Sequence, residues 1–213
     1  MSERPSASTE RETGAPGARL VIVSGPSGVG KDTVIAALRR RPGGEDFHYV
    51  VTCTTRPPRP YEEDGVHYRF LSDAEFLGLK KAGELLEANL VHGHWYGTPR
   101  AEVREALARG LDVILKIDVQ GAAVIKASVP EALLIFLVPP SLEDLFGRLK
   151  RRATETADEL DVRQRNAALE LARQSDYDHV VVNETGAVDD VAGRIDSIIR
   201  TERAREPELR TRV

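Results

Sequence analysis

One cysteine, Cys53, stands among the 213 residues, so no disulfide can form within the chain and a reducing compartment is expected. Aromatic residues make up only 5% of the total, with a single tryptophan, Trp95. No apolar stretch approaches the roughly 20 residues that span a bilayer, and no signal-peptide core is present. Neither sign of charge dominates, because 30 Lys and Arg against 34 Asp and Glu leave a formal −4. That balance gives no overall attraction to nucleic acid or an anionic membrane, so any phosphate ligand must be held by local cations. A soluble, cytoplasmic protein is expected, with neither nucleic acid nor membrane as partner, and as a monomer or homodimer. Metal patterns are sparse: His92-Gly93-His94 has no cysteines or carboxylate cluster at ligand spacing beside it.

What is present is an ordinary soluble composition, 41% apolar and 30% charged, at a length that suits one α/β domain. Residues 1–18 are polar, with no large apolar side chain after Met1, and read as a disordered tail. Residues 206–213 read as a fraying end. Between them, near-continuous apolar runs of strand length recur at Leu20–Val23, Asp112–Asp118, Ala132–Val138 and His179–Val182, with a short β-branched run at His48–Thr52. Helical spacing occupies Thr33–Arg41, Arg100–Arg109, Ser141–Lys150, Asp158–Gln174 and Val188–Arg203. Strands apolar on both faces and separated by helices predict a parallel sheet covered on both sides. Cys53–Thr98 breaks this rhythm and reads as an insertion carrying function.

The strongest motif is Gly25-Pro26-Ser27-Gly28-Val29-Gly30-Lys31-Asp32-Thr33, directly after the first apolar run. It is one residue away from the phosphate-binding pattern G-x-x-x-x-G-K-[ST], with Asp32 where a hydroxyl should meet magnesium. Glycines let successive backbone N–H groups curl around an anion, and the following helix aims its positive end at the same place. Lys31 adds a mobile charge for the outer phosphates. An ordinary strand-to-helix turn with an exposed lysine is the plain alternative. The full context favours a nucleoside triphosphate.

A second cluster is Thr54-Thr55-Arg56-Pro57-Pro58-Arg59-Pro60, followed by Tyr68. Arginines held by prolines are rigid planar donors suited to phosphate oxygens, although such turns also occur as solvated loops. Together with Gly65-Val66-His67-Tyr68-Arg69-Phe70, Tyr96-Gly97-Thr98, Ile117-Asp118-Val119-Gln120-Gly121, Thr154-Glu155-Thr156 and Val181-Val182-Asn183, these motifs resemble the guanylate kinase family over residues 19–203.

The resemblance implies a P-loop kinase core (19–52, 99–150 and 166–205), a GMP-binding lobe (53–98) and a mobile lid (151–165). It implies ATP-dependent phosphorylation of GMP, and of dGMP, within purine nucleotide metabolism. Residues 25–33 and Asn183 are expected at ATP, with Asn183 at the adenine. Arg56, Arg59, Tyr68 and Tyr96 are expected at the GMP phosphate, Glu87 at guanine N1–H and N2–H, and Thr52 and Thr98 at O6. Asp118 is expected near GMP or metal-bound water. Glu87 by itself reads as a solvated charge; the resemblance gives it its role. Lys31, Arg56, Arg148, Arg152 and Arg163 are expected to neutralise the transferring phosphoryl. A site built on such hydrogen bonds can reject the wrong base by roughly 10⁴-fold.

Two positions depart from the family. Asp32 replaces a Ser or Thr, and Lys116 replaces an acidic residue. Their charges cancel, so Asp32 is expected either to ligate Mg²⁺ or to pair with Lys116. The alternative has Lys116 pointing elsewhere and Thr33 at the metal. Two other readings remain open from sequence: a ribose 1,5-bisphosphate kinase on the same scaffold, and a non-catalytic binding module.

Overall fold

The computed structural model describes residues 15–91, 93–152 and 157–213, with the backbone alone for 151, 152, 157–161 and 163. Its centre is a five-stranded sheet, every pairing parallel: β1 (Leu20–Ser24), β2 (Phe47–Tyr49), β7 (Asp112–Lys116), β8 (Leu133–Val138) and β9 (His179–Val182), in the order β2-β7-β1-β8-β9. All five residues of β1 are buried, as expected for a strand covered on both faces. Val21 and Val23 enter the core against α1 (Lys31–Arg40) and α7 (Val188–Arg205). Leu20 and Ile22 enter the opposite core against α3 (Arg100–Ala108) and α4 (Val119–Ser128). Period-two alternation thus feeds two cores from one strand.

The irregular segment folds as a separate four-stranded sheet, ordered β4-β3-β6-β5. Its strands are β3 (Cys53–Thr54), β4 (Arg69–Phe70), β5 (Leu85–Val91) and β6 (His94–Pro99). Helix α2 (Asp73–Lys81) covers it, with Phe76 buried beside Cys53 and Leu85. Trp95 stacks on Phe76, ring centres 5.7 Å apart, with the Lys80 ammonium 3.9 Å above it. The chain returns to the large sheet through α3 into β7, and α5 (Leu142–Arg152) and α6 (Ala157–Leu171) lie between β8 and β9. No helix among the described residues is long and apolar enough to cross a membrane.

The expected elements of the core agree with the observed ones to within a few residues, while α2, α4 and the four strands of the smaller sheet were unforeseen. Helix α2 carries a capping box, in which Ser72 Oγ accepts from Glu75 N and Glu75 Oε2 accepts from Ser72 N. Helix α4 is capped by Asp118, whose Oδ1 accepts from Gln120 N at 2.7 Å and Gly121 N at 3.0 Å. Its run of small and apolar residues has little amphipathic contrast, because one flank meets the large sheet and another meets β5.

Both expected loose ends need correction where they are described. Residues 1–14 of the expected tail lie outside the described residues, but 15–18 are docked: Ala15 N donates to Leu107 O and Gly17 N to Leu209 O. The C-terminal segment does not fray. Thr211 Oγ1 donates to Ala18 O at 2.9 Å, and Val213 is buried in the α3/α4 core. Only alternate residues turn inward, so composition gave no apolar run to notice.

Candidate active site

The phosphate loop leaves the carboxyl end of β1, the edge where open parallel sheets bind ligands. Its geometry depends on Gly30, which is left-handed at φ 100° and starts α1. A Cβ there would lie 2.6 Å from Asn183 Nδ2, so a side chain is excluded by both backbone and space. Asn183 is buried and donates from Nδ2 to Val29 O at 2.7 Å. Arg148 donates to the same carbonyl at 3.0 Å, and to Asn183 O and Thr185 Oγ1. Both residues, expected at nucleotide, here brace the loop from behind.

Lys31 folds across the mouth of the loop, donating to Gly25 O at 2.6 Å and Pro26 O at 3.2 Å. Burial lowers its pKa, while the carboxylates of Glu170, Asp32 and Asp118 act in the opposite direction. Glu170, on α6, accepts a hydrogen bond from Ser27 N at 3.0 Å. A carboxylate therefore stands on a loop N–H that suits a phosphate oxygen. Glu170→Gln is expected to raise affinity for ATP about fivefold, because the anion that competes for the Ser27 N–H is neutralised. Isothermal calorimetry with ATP checks this.

Asp32 and Lys116, 84 positions apart, meet: Lys116 Nζ donates to Asp32 Oδ1 at 2.5 Å. Lys116 ends β7 directly beside Val23 of β1, which places it at the loop. Burial works against its charge, yet Tyr68 and Asp32 together hold its pKa above the ordinary lysine value.

The smaller sheet supplies the facing wall. Arg56 Nη2 donates to both oxygens of Glu62, each at 2.8 Å, and its guanidinium lies 5.6 Å from the centre of the Tyr68 ring. Tyr68 meets Tyr96 edge-on, 6.1 Å between centres. Arg59 joins Glu62 through Nη1 at 3.3 Å and through its backbone N–H at 2.8 Å. Burial acts the other way, but Arg59 and Arg56 hold the Glu62 carboxyl below its usual range. Glu62 thus closes the 56–62 turn and fixes both arginines. Glu62→Ala is expected to raise the KM for GMP about tenfold with a smaller change in kcat, measured by steady-state assay.

Glu87 lies at a bulge in the β5/β6 pairing, between Leu85↔Pro99 and Ala88↔Gly97. The extra residue lets Leu85, Leu86 and Glu87 all be buried in succession, which plain alternation forbids. Thr98 Oγ1 donates to Glu87 Oε1 at 2.8 Å, and Asn89 Nδ2 donates to Oε2 at 2.6 Å. Burial pushes its pKa up to about 7, with the nearby Asp118 charge adding to the effect and the two hydrogen bonds opposing it. Thr52 is buried just before β3.

Contacts and charge interactions therefore join Lys31, Asp32, Lys116, Asp118, Tyr68, Tyr96, Arg56 and Arg59 into one cluster, with Glu87 and Thr98 beside Asp118. Thr33 is exposed on the first turn of α1. The side chains of Arg152 and Arg163, and residues 153–156 of the expected lid, lie outside the described residues, as does His92. Among the described residues no group of three or more His, Cys, Asp or Glu forms a metal cage. A Mg²⁺ arriving with ATP needs only one or two protein carboxylates, and the exposed Asp32 at the loop fits that need. Glu62, Asn89 and Glu170 were not singled out from sequence. Asn89 shares a strand face with Glu87, and Glu62 follows two arginines at short range. Glu170 carries no local signal, because its partner is 143 residues away.

A sequence profile described as guanylate kinase matches residues 17–202. The guanylate kinase of Gloeobacter violaceus is 48% identical over 171 residues, covering 80% of this chain and 82% of that protein. Guanylate kinase 2 (chloroplastic/mitochondrial) of Oryza sativa subsp. japonica is 43% identical over 187 residues, 87% of this chain, which spans 65% of the rice protein's length. The crystal structure of guanylate kinase from Anaplasma phagocytophilum superposes with a TM-score of 0.72 at 32% identity, covering 90% of this chain and 89% of that one. The chain belongs to the guanylate kinase family.

Proposed function

We propose that the protein transfers the γ-phosphoryl group of ATP to GMP, giving ADP and GDP, as a cytoplasmic enzyme of purine nucleotide metabolism. The observation that carries the acceptor's identity is Glu87, a buried carboxylate clasped by Thr98 and Asn89. Guanine presents N1–H and N2–H donors to such a group, whereas adenine presents an acceptor. Arg56, Arg59, Tyr68 and Tyr96 receive the acceptor phosphate, and dGMP satisfies the same contacts.

The attacking oxygen already belongs to a phosphate anion, so no general base is needed. Catalysis consists of in-line positioning, charge neutralisation and exclusion of water. ATP takes the loop N–H groups, and Lys31 exchanges the Gly25 and Pro26 carbonyls for phosphate oxygens. Arg148 steadies the loop. Asp32 would hold on the protein side a Mg²⁺ arriving with ATP, which would supply charge neutralisation for the phosphates.

ADP release with Mg-ATP and GMP, dGMP, AMP or ribose 1,5-bisphosphate in turn tests the reading. Turnover with GMP and dGMP alone is expected. Turnover with the bisphosphate, or absence of turnover with every acceptor, overturns it.

A further inference from the structure

Lys116 touches both halves of the cleft. Its ammonium is hydrogen-bonded to Asp32 of the donor loop, and it lies 4.8 Å from the centre of the Tyr68 ring while interacting with the Tyr68 hydroxyl. Tyr68 also carries the Arg56 guanidinium and meets Tyr96, the proposed acceptor-phosphate ligands. Lys116 is anchored by its place at the end of β7, beside β1. Its side chain is 19% exposed against 63% for Asp32, so the lysine is the inner member of the pair. An inner ammonium between two loops that each receive a phosphate stands where two anions must approach closely. Like charges brought together need a cation between them.

We propose that Lys116 is a catalytic residue, a cation that bridges the two nucleotides in the ternary complex. This rests on the GMP kinase reading above and adds a residue to it. With no substrate, Asp32 holds the ammonium at the donor side. With both substrates bound, Lys116 donates hydrogen bonds to a γ-phosphate oxygen and to the GMP phosphate. A bond forms from a GMP phosphate oxygen to the γ-phosphorus, and the bond from that phosphorus to the β–γ bridging oxygen breaks, its electron pair leaving with ADP. Lys116 stabilises the charge throughout and gives up no proton. A positive group here is the opposite of the acidic residue usual in the family, so this chain performs the step with one more cation in the cleft.

The experiment compares wild type with Lys116→Met and Lys116→Cys, the latter before and after aminoethylation, which rebuilds a lysine-like ammonium. Cys53 is the single native cysteine and is buried, so position 116 is alkylated selectively. Expected are a kcat loss of about 100-fold in both variants and recovery to within about fivefold after aminoethylation. Without ATP or metal, calorimetric affinity for GMP should fall about fivefold in Lys116→Met, with guanosine affinity unmoved. Variants that keep kcat and GMP affinity within threefold overturn the proposal. So does a loss that aminoethylation leaves unrepaired while circular dichroism shows native fold. Wild type without turnover on GMP instead defeats the underlying activity, so the two failures are distinguishable.

Discussion

Replacing Lys31 by Met is expected to lower kcat by about 10³-fold while leaving the folded chain and its ATP affinity much less changed. The ammonium is pinned on the Gly25 and Pro26 carbonyls, across the opening that a triphosphate must fill. Desolvation works against its charge, and the surrounding carboxylates of Glu170, Asp32 and Asp118 sustain it. Phosphate oxygens offer a stronger partner than two carbonyls, and stronger still as negative charge spreads over the transferring group. The lysine is therefore worth most at the transition state, which is why the loss falls on kcat. Loop N–H groups supply most ground-state binding and survive the change. Steady-state ADP release, with ATP titrated by calorimetry, separates the two effects. Arginine at 31 is not a rescue, since its planar fork does not fit where a single point charge bridges two carbonyls.

The second large effect belongs to Glu87. Glu87→Ala is expected to reduce kcat/KM for GMP by on the order of 10³-fold, because two guanine N–H donors enter the wall with no acceptor. The acid has its own pH signature. Its pKa is raised from 4.5 to about 7, so the folded chain binds that proton more tightly than the unfolded one. The free protein loses stability as pH rises from 4.5 to about 7 and keeps the loss above that, on the order of 3 kcal/mol. Glu87→Gln should therefore raise Tm at pH 8 and leave it little changed at pH 4.5. Guanine binding runs the other way, since its donors require the ionised carboxylate. Affinity for guanosine, which has no phosphate to titrate, should rise as pH increases through about 7. In Glu87→Gln it should be flat over the same range, and a parallel slope in the variant would count against this assignment.

The donor half of this site was legible because its signal is contiguous: an apolar strand, a glycine-rich loop and a lysine in one short span. Parallel strands buried on both faces announce themselves as apolar runs, and those predictions met the large sheet. The acceptor half was legible in a different way. Nothing local distinguishes Glu87 from a solvated charge, because its meaning depends on a bulge that turns three consecutive residues inward. Only the ordered motifs around it gave it a role. Asp32 and Lys116 are distant in sequence, but their opposite departures from the family pointed to each other, and the structure joins them. Glu170 had no such partner signal, and the docked C-terminal segment buries too few side chains to leave a pattern.

The lone tryptophan has an optical consequence. Trp95 sits wholly within the smaller sheet, stacked on Phe76 beneath the Lys80 ammonium, and the large sheet contains no tryptophan. Fluorescence excited at the indole edge is therefore a private channel from the acceptor wall, blind to the phosphate loop unless the wall itself moves. Tyr96 and Trp95 are adjacent on β6, so an acceptor drawn against Tyr96 pulls on the strand that carries the fluorophore. On the proposed assignment of Tyr96 to the acceptor, the native chain carries its own reporter of acceptor binding, without a label.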